Sequence, residues 1–223
     1  MQYRDYGNEG YKVSAFGMGC MRVPHVKDEH GNKIIQREEA IKMIRYAADH
    51  GVTYFDSARM YFNGDCDALL GEALAGGYRE KVKVVSKIPP RFVNSEEEFN
   101  NTLDDMLKKL QTDYLDVLLA HDMNREAWDR FQQMGMYQWM EKAKQAGKIK
   151  AIGFSFHDDV DLFREMVDAY PWAMAQIQMN ILDVNYQATV EGMKYAASKG
   201  LAIVIMEPLA IRAFNMRPNA IWA

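Results

Sequence analysis

The chain has 223 residues, 48% of them hydrophobic, with 27 lysines and arginines against 31 aspartates and glutamates and a formal net charge of −4. That length and apolar content suffice for a substantial core and exclude a disordered or fibrous chain, and the near-balanced charge with no long basic run argues against a nucleic-acid partner. No stretch approaches the ~18 uncharged apolar residues of a membrane span, and the polar start MQYRDYGNEGYKVS lacks the apolar centre of a secretory signal, so a cytoplasmic protein that stays out of membranes is expected.

From the N-terminus, residues 1–13 alternate polar and apolar around a GNEG turn and read as a small hairpin, placed to close the bottom of the fold that follows. Short, nearly continuous apolar runs come next at residues 14–17, 52–56, 82–87, 114–120, 149–155, 173–179 and 202–207. Runs of that kind read as strands buried on both faces, hence parallel.

Helical spacing appears between them, at Ile41, Ile44 and Ala48, at Phe99, Leu103, Met106, Leu107 and Leu110, and at Leu162, Phe163, Met166 and Val167. Asn94 or Ser95, ahead of the acidic residues 96–98, is a helix start, and Gly51, Gly147 and Gly200 stand where left-handed caps end helices before the next strand. The repeating β-α unit, about seven times over, gives either an open doubly wound sheet or a closed barrel. FGMGCMR at residues 16–22 lacks GxGxxG and leads into no helix directly, so the (β/α)8 TIM-barrel type is favoured, α/β and incomplete at about seven units. Cys20 and Cys66 have no CxxC spacing and read as ordinary reduced thiols.

In such barrels the chemistry gathers where strands end at their C-termini. The polar residues there are Asp56, Lys87, His121, Ser155 with His157, Gln176 with Asn180, and Glu207. A lysine closing VKVVSK is costly to bury without an anion, and Asp56 on the neighbouring strand supplies one. If that lysine lies near Tyr61, a positive charge within ~4 to 6 Å lowers the phenol's pKa by roughly 1 to 3 units and makes it a better proton donor. His121 would then orient a carbonyl oxygen beside the phenol, an arrangement suited to protonating an oxygen as hydride reaches its carbon.

Asp56, Tyr61, Lys87 and His121, in the contexts YFDSARMY, VVSK and LLAH, resemble the catalytic tetrad of the aldo/keto reductase superfamily, and VSAFGMGCMR, DALLGEAL and IKAIGFSFHD are similar to its supporting stretches. The resemblance implies an NADPH- or NADH-dependent reductase of a small-molecule carbonyl, with Tyr61 as general acid, Lys87 lowering its pKa, Asp56 holding the lysine and His121 orienting the carbonyl. It further implies a cofactor site at Gly19, Cys20, Met21 and Asp56, with Ser155 and Gln176 bonding the nicotinamide carboxamide and Met206 under the ring where the family often has tyrosine. Phe156 stands where SN is usual, as in a GFSFHD subgroup related to members with a ferredoxin domain, although no cysteines for a cluster remain here. The chain also resembles a family member that stops early, with barrel units to residue 209 and an atypical tail at 210–223. On that resemblance an uncovered barrel edge invites self-association, and cofactor binding and activity are expected to be impaired. A non-catalytic barrel that binds a partner or cofactor is the alternative. A metal-dependent hydrolase using Asp56, His121, His157 and Glu207 is disfavoured by the cation Lys87 among those ligands and by the lack of HxH or HxxxH spacing, so no metal is expected.

Overall fold

The expected hairpin forms: β1 (Tyr3–Asp5) and β2 (Lys12–Ser14) pair antiparallel with Tyr3 opposite Ser14 in the computed structural model, which describes residues 1–208. The tail at 210–223 lies outside the described residues. The turn between the two strands lies against the start of the last sheet strand, where the Asn8 amide donates to the Gly200 carbonyl at 3.0 Å. A side chain on Gly7, whose φ is +52, would meet the Ala202 nitrogen at 2.5 Å, so only glycine permits this approach.

The chain then runs through β3 (Met18–Gly19), a second hairpin of β4 (His25–Lys27) and β5 (Lys33–Ile35), α1 (Arg37–Asp49), β6 (Tyr54–Asp56), α2 (Asp65–Leu74), β7 (Lys83–Ile88) and α3 (Glu96–Lys109). It continues with β8 (Leu115–Met123), α4 (Arg125–Met134), α5 (Met136–Gln145), β9 (Ile149–Phe156), α6 (Val160–Ala169), β10 (Met174–Gln178), α7 (Thr189–Ser198) and β11 (Ala202–Met206). Seven strands form one parallel sheet in the order β3-β6-β7-β8-β9-β10-β11, a curled half-barrel with β3 and β11 at its edges among the described residues.

The anticipated helical stripes are buried as α3 and α6, and Ser95 caps α3 by accepting from the Glu98 amide. Gly51, Gly147 and Gly200 all have left-handed φ, at 89, 77 and 89°. Two expectations are corrected. The run at 14–17 is not a sheet strand, because Ser14 ends the hairpin, Phe16 is 63% exposed, and the edge strand is the two-residue β3. The repeating unit of one helix per strand does not hold between β8 and β9, where there are two helices, divided at Gly135, whose φ of 67 breaks the helix.

Two apolar clusters hold the layers together. The larger lies between the sheet and its helices, with Leu69, Phe99, Leu118 and Phe163 fully buried. The smaller fills the inside of the curl with Val85, Val117, Leu119, Ala151 and Met174, and Tyr6 from the hairpin packs into it. Tyr6 and Val13 of the hairpin pack at one end of the curl, and the strand C-termini converge at the other. There the Arg22 guanidinium meets Glu207 at 2.6 Å, linking the segment after β3 to the segment after β11. No helix among the described residues is long and apolar enough to cross a membrane.

Candidate active site

Parallel register brings the strand-end polar residues to one level. Gly19 pairs with Asp56, Lys87 with Leu119, and Gln176 with both Ser155 and Val204. Asp56, Lys87, His121, Ser155 and Gln176 are all buried. Tyr61 comes from the loop after β6, in a tight turn where Phe62, Asn63 and Gly64 all have positive φ, at 50, 55 and 87°. That left-handed run folds the chain back and carries the phenol over the strand ends.

The Lys87 ammonium donates to Asp56 Oδ1 at 2.6 Å, to the Ser57 carbonyl at 2.7 Å and to the Tyr61 hydroxyl at 3.3 Å, so its three donors are all used. The second Asp56 oxygen accepts from Gln176 Nε2 at 3.0 Å. Tyr61 and His121 meet edge to face, with ring centroids 5.8 Å apart. Behind the lysine, Ser86 donates to Asp67 Oδ1 at 3.1 Å, and burial pushes that fully enclosed carboxyl up. Asp67 sits in DALLGEAL, yet nothing in its local sequence signals that it faces the strand before Lys87.

Burial alone would push the Lys87 pKa down, but Asp56 and Tyr61 reverse this and hold it above its ordinary value. The Tyr61 phenol is raised overall, because burial outweighs the lowering by Lys87 and Asp56 adds to the rise. Lys87 therefore acts with the expected sign, and the net direction is the opposite of the one expected, since desolvation of the phenolate is the larger effect. His121 is pushed down to about 2, by burial first and then by Lys87, His157 and Arg91, so its imidazole is neutral.

The cavity over these groups has a volume of about 770 Å³, and Asp56, Tyr61, Lys87, His121, Ser155 and Gln176 line it. Gly19, Met21, His157, Met206 and Glu207 also face it. Cys20 is fully buried, and its backbone oxygen accepts from the Cys66 thiol at 3.3 Å, so its own side chain lies in the core and not on the cavity wall. Asn180 organises the loop after β10, accepting from the Leu182 and Asp183 amides at 2.9 Å. The Ser155 hydroxyl accepts from the Asp122 amide at 2.9 Å and keeps its own proton to give. Among the described residues no group of three or more His, Cys, Asp or Glu side chains is placed to hold a metal ion. Asp56 is engaged by Lys87 and Gln176, and Glu207 by Arg22.

A curled parallel sheet with its polar cluster at the strand C-termini defines a β/α-barrel chain. The aldo/keto reductase family pattern matches residues 16–218, and the chain belongs to that family. L-galactose dehydrogenase of Arabidopsis thaliana is 27% identical over 229 residues, covering 100% of this chain and 70% of the plant protein. Methylglyoxal reductase YeaE of Escherichia coli is 34% identical over 132 residues, 59% of this chain and 44% of the bacterial one. The crystal structure of an aldo-keto reductase from Klebsiella pneumoniae in complex with NADPH superposes with a TM-score of 0.75 at 26% identity, covering 95% of this chain and 69% of that one.

Proposed function

We propose that the chain reduces the carbonyl of an aldehyde or ketone to an alcohol with NADPH or NADH, Tyr61 serving as general acid. The observation that carries this is the Tyr61 hydroxyl 3.3 Å from an ammonium that is itself fixed by Asp56 at 2.6 Å. A phenol in contact with a buried cation can give up its proton because the phenolate left behind is stabilised in place.

The residues present fit a nicotinamide. Gln176 Oε1 is buried without a partner, and the Ser155 hydroxyl still has a proton to donate, so together they offer an acceptor and a donor to a carboxamide on the cavity wall. Met206, on the edge strand, offers an apolar and polarisable surface to the ring. When bound there, the cofactor supplies a hydride to the carbonyl carbon. Tyr61 gives its proton to the carbonyl oxygen, Lys87 holds the resulting phenolate, and Asp56 keeps Lys87 charged. Neutral His121 bonds the same oxygen from beside the phenol and sets which way the carbonyl faces. The proton balance is one hydride and one proton per alcohol formed, with Tyr61 reprotonated from solvent.

The test is consumption of NADPH, followed by its absorbance, with a panel of aldehydes and quinones, in the parent and in Tyr61→Phe. Turnover in the parent and a loss of about 10²- to 10⁴-fold in the variant are expected. Equal rates in the two proteins remove Tyr61 from the mechanism.

A further inference from the structure

We propose that Arg91 is a positioning residue, a clasp that fixes the spacing between Tyr61 and His121 by gripping the chain next to each of them; this rests on the proposed carbonyl-binding role of that pair. Arg91 follows β7 in the turn PPRF, where two consecutive prolines restrict the backbone that presents it. Its Nη1 donates to Asp122 Oδ2 at 2.8 Å, and its Nη2 lies 3.7 Å from the Met60 sulfur. Asp122 directly follows His121, and Met60 directly precedes Tyr61. One planar guanidinium therefore touches the neighbours in sequence of both groups proposed to meet the carbonyl oxygen.

The His121 side needs such a hold. Asp122 has a φ of 60, in the left-handed region that a residue with a side chain rarely adopts, and the pairing of β8 with β9 slips between Ala120 and Met123. His121 Nδ1 is buried without a hydrogen-bond partner, so no bond through that nitrogen sets the ring. The ring's direction is set by its edge-to-face packing on Tyr61 and by the backbone at the bulge. That backbone is held at two points, the Asp122 amide on Ser155 Oγ at 2.9 Å and the Asp122 carboxylate on Arg91. Arg91 and Asp122 have side-chain exposures of 46% and 38%, and an ion pair of that kind adds little to stability. Its effect on geometry is a separate matter, because it acts on the strained residue that directly follows His121, inside the slip between Ala120 and Met123.

The decisive measurement needs neither cofactor nor turnover: the nuclear Overhauser contact between the Tyr61 and His121 rings, assigned with Tyr61→Phe and His121→Gln. It is read in the parent, Arg91→Gln, Arg91→Lys, Asp122→Asn and the double variant Arg91→Gln/Asp122→Asn. Asparagine tolerates left-handed φ, so Asp122→Asn removes the charge without forcing the backbone. The contact is expected to weaken in Arg91→Gln and Asp122→Asn, to weaken no further in the double variant, and to return in part in Arg91→Lys, with unchanged thermal melting throughout. With an active parent, kcat for a short aldehyde falls about tenfold in each of these two single variants and no further in the double, while the cofactor KM stays put. A ring contact that survives in Arg91→Gln, or single effects that multiply in the double variant, overturns the clasp. An inactive parent overturns the reductase reading instead, and the ring contact still decides the role of Arg91.

Discussion

Lys87 Nζ lies 2.6 Å from Asp56 Oδ1, with side-chain exposures of 2% and 10%, so an ion pair sits almost wholly out of water at the ends of neighbouring strands. Taking two such charges out of water costs several kcal/mol each, which their mutual attraction and further hydrogen bonds offset. The Ser57 carbonyl, the Tyr61 hydroxyl and the Gln176 amide provide those bonds. Removing one partner strands the other. Asp56→Asn and Lys87→Met are each expected to lose about 3–5 kcal/mol, and the double variant Asp56→Asn/Lys87→Met much less than their sum. Urea unfolding midpoints of the four proteins check this, and additive losses would show that the two charges do not depend on each other.

Stability should fall on acidification through the histidines. The native state holds His121 down to about 2 against an ordinary value of 6.5, so between those two values the unfolded chain binds the proton that the native chain refuses. More protons on the unfolded side mean that stability rises with pH across that window and is lost as pH falls below 6.5, at about 1.4 kcal/mol per unit. His157, also lowered by burial, adds in the same direction. Unfolding free energy measured between about pH 7 and pH 5 should therefore slope less steeply in His121→Gln than in the parent. Parallel slopes would mean that His121 is not buried as a neutral ring.

How much of this was legible beforehand depends on range. Asp56, Lys87 and His121 stood out because each ends an apolar run, and α3 because its stripe and its Ser95 cap are local signals. The two-residue β3 was misplaced, since it is defined only by register against β6, which no local pattern encodes. The bond from Gln176 to Asp56 joins residues 120 positions apart, and Arg91 meets Asp122 from the turn after β7, 31 positions away. The net rise of the Tyr61 pKa was missed for the same reason. The opposing charge of Lys87 is visible in the order of residues, but the degree of burial is a property of the assembled curl.

That rise has a kinetic consequence. With its phenol held above the ordinary value of 10, Tyr61 stays protonated through neutrality, and the proposed acid is present without any titration near pH 7. The reduction rate is expected to be flat from about pH 6 to pH 9, while oxidation of the corresponding alcohol, which needs the phenolate as base, climbs with pH. Lys87→Met removes the charge that lowers the phenol, so the oxidation limb should move to still higher pH. A reduction rate that falls on passing pH 7 would show that the lysine wins over burial.

The GF of GFSFHD places glycine where β9 is squeezed. A methyl group on Gly153 would lie 2.6 Å from both Met174 Cγ and the Met174 carbonyl oxygen, and 2.9 Å from Leu119 Cδ2. Side chains can turn away from such a contact, but the carbonyl belongs to β10, whose Met174 is paired with Gly153, and cannot retreat without loosening that pairing. Gly153→Ala is expected to fold and to be less stable by about 1–3 kcal/mol, the usual range for an overfilled core. If the backbone contact dominates, the double variant Gly153→Ala/Met174→Ala gains nothing over Met174→Ala alone and stays below the parent by more than either single change. If the side chains dominate, shortening Met174 makes room for the new methyl group, and the double variant recovers part of the loss in a thermal melt. Full recovery would refute the claim that strand spacing requires glycine at this position. Because Ser155 lies two residues further along the same strand, any shift of β9 should also weaken its bond to the Asp122 amide, visible as faster hydrogen exchange at Asp122.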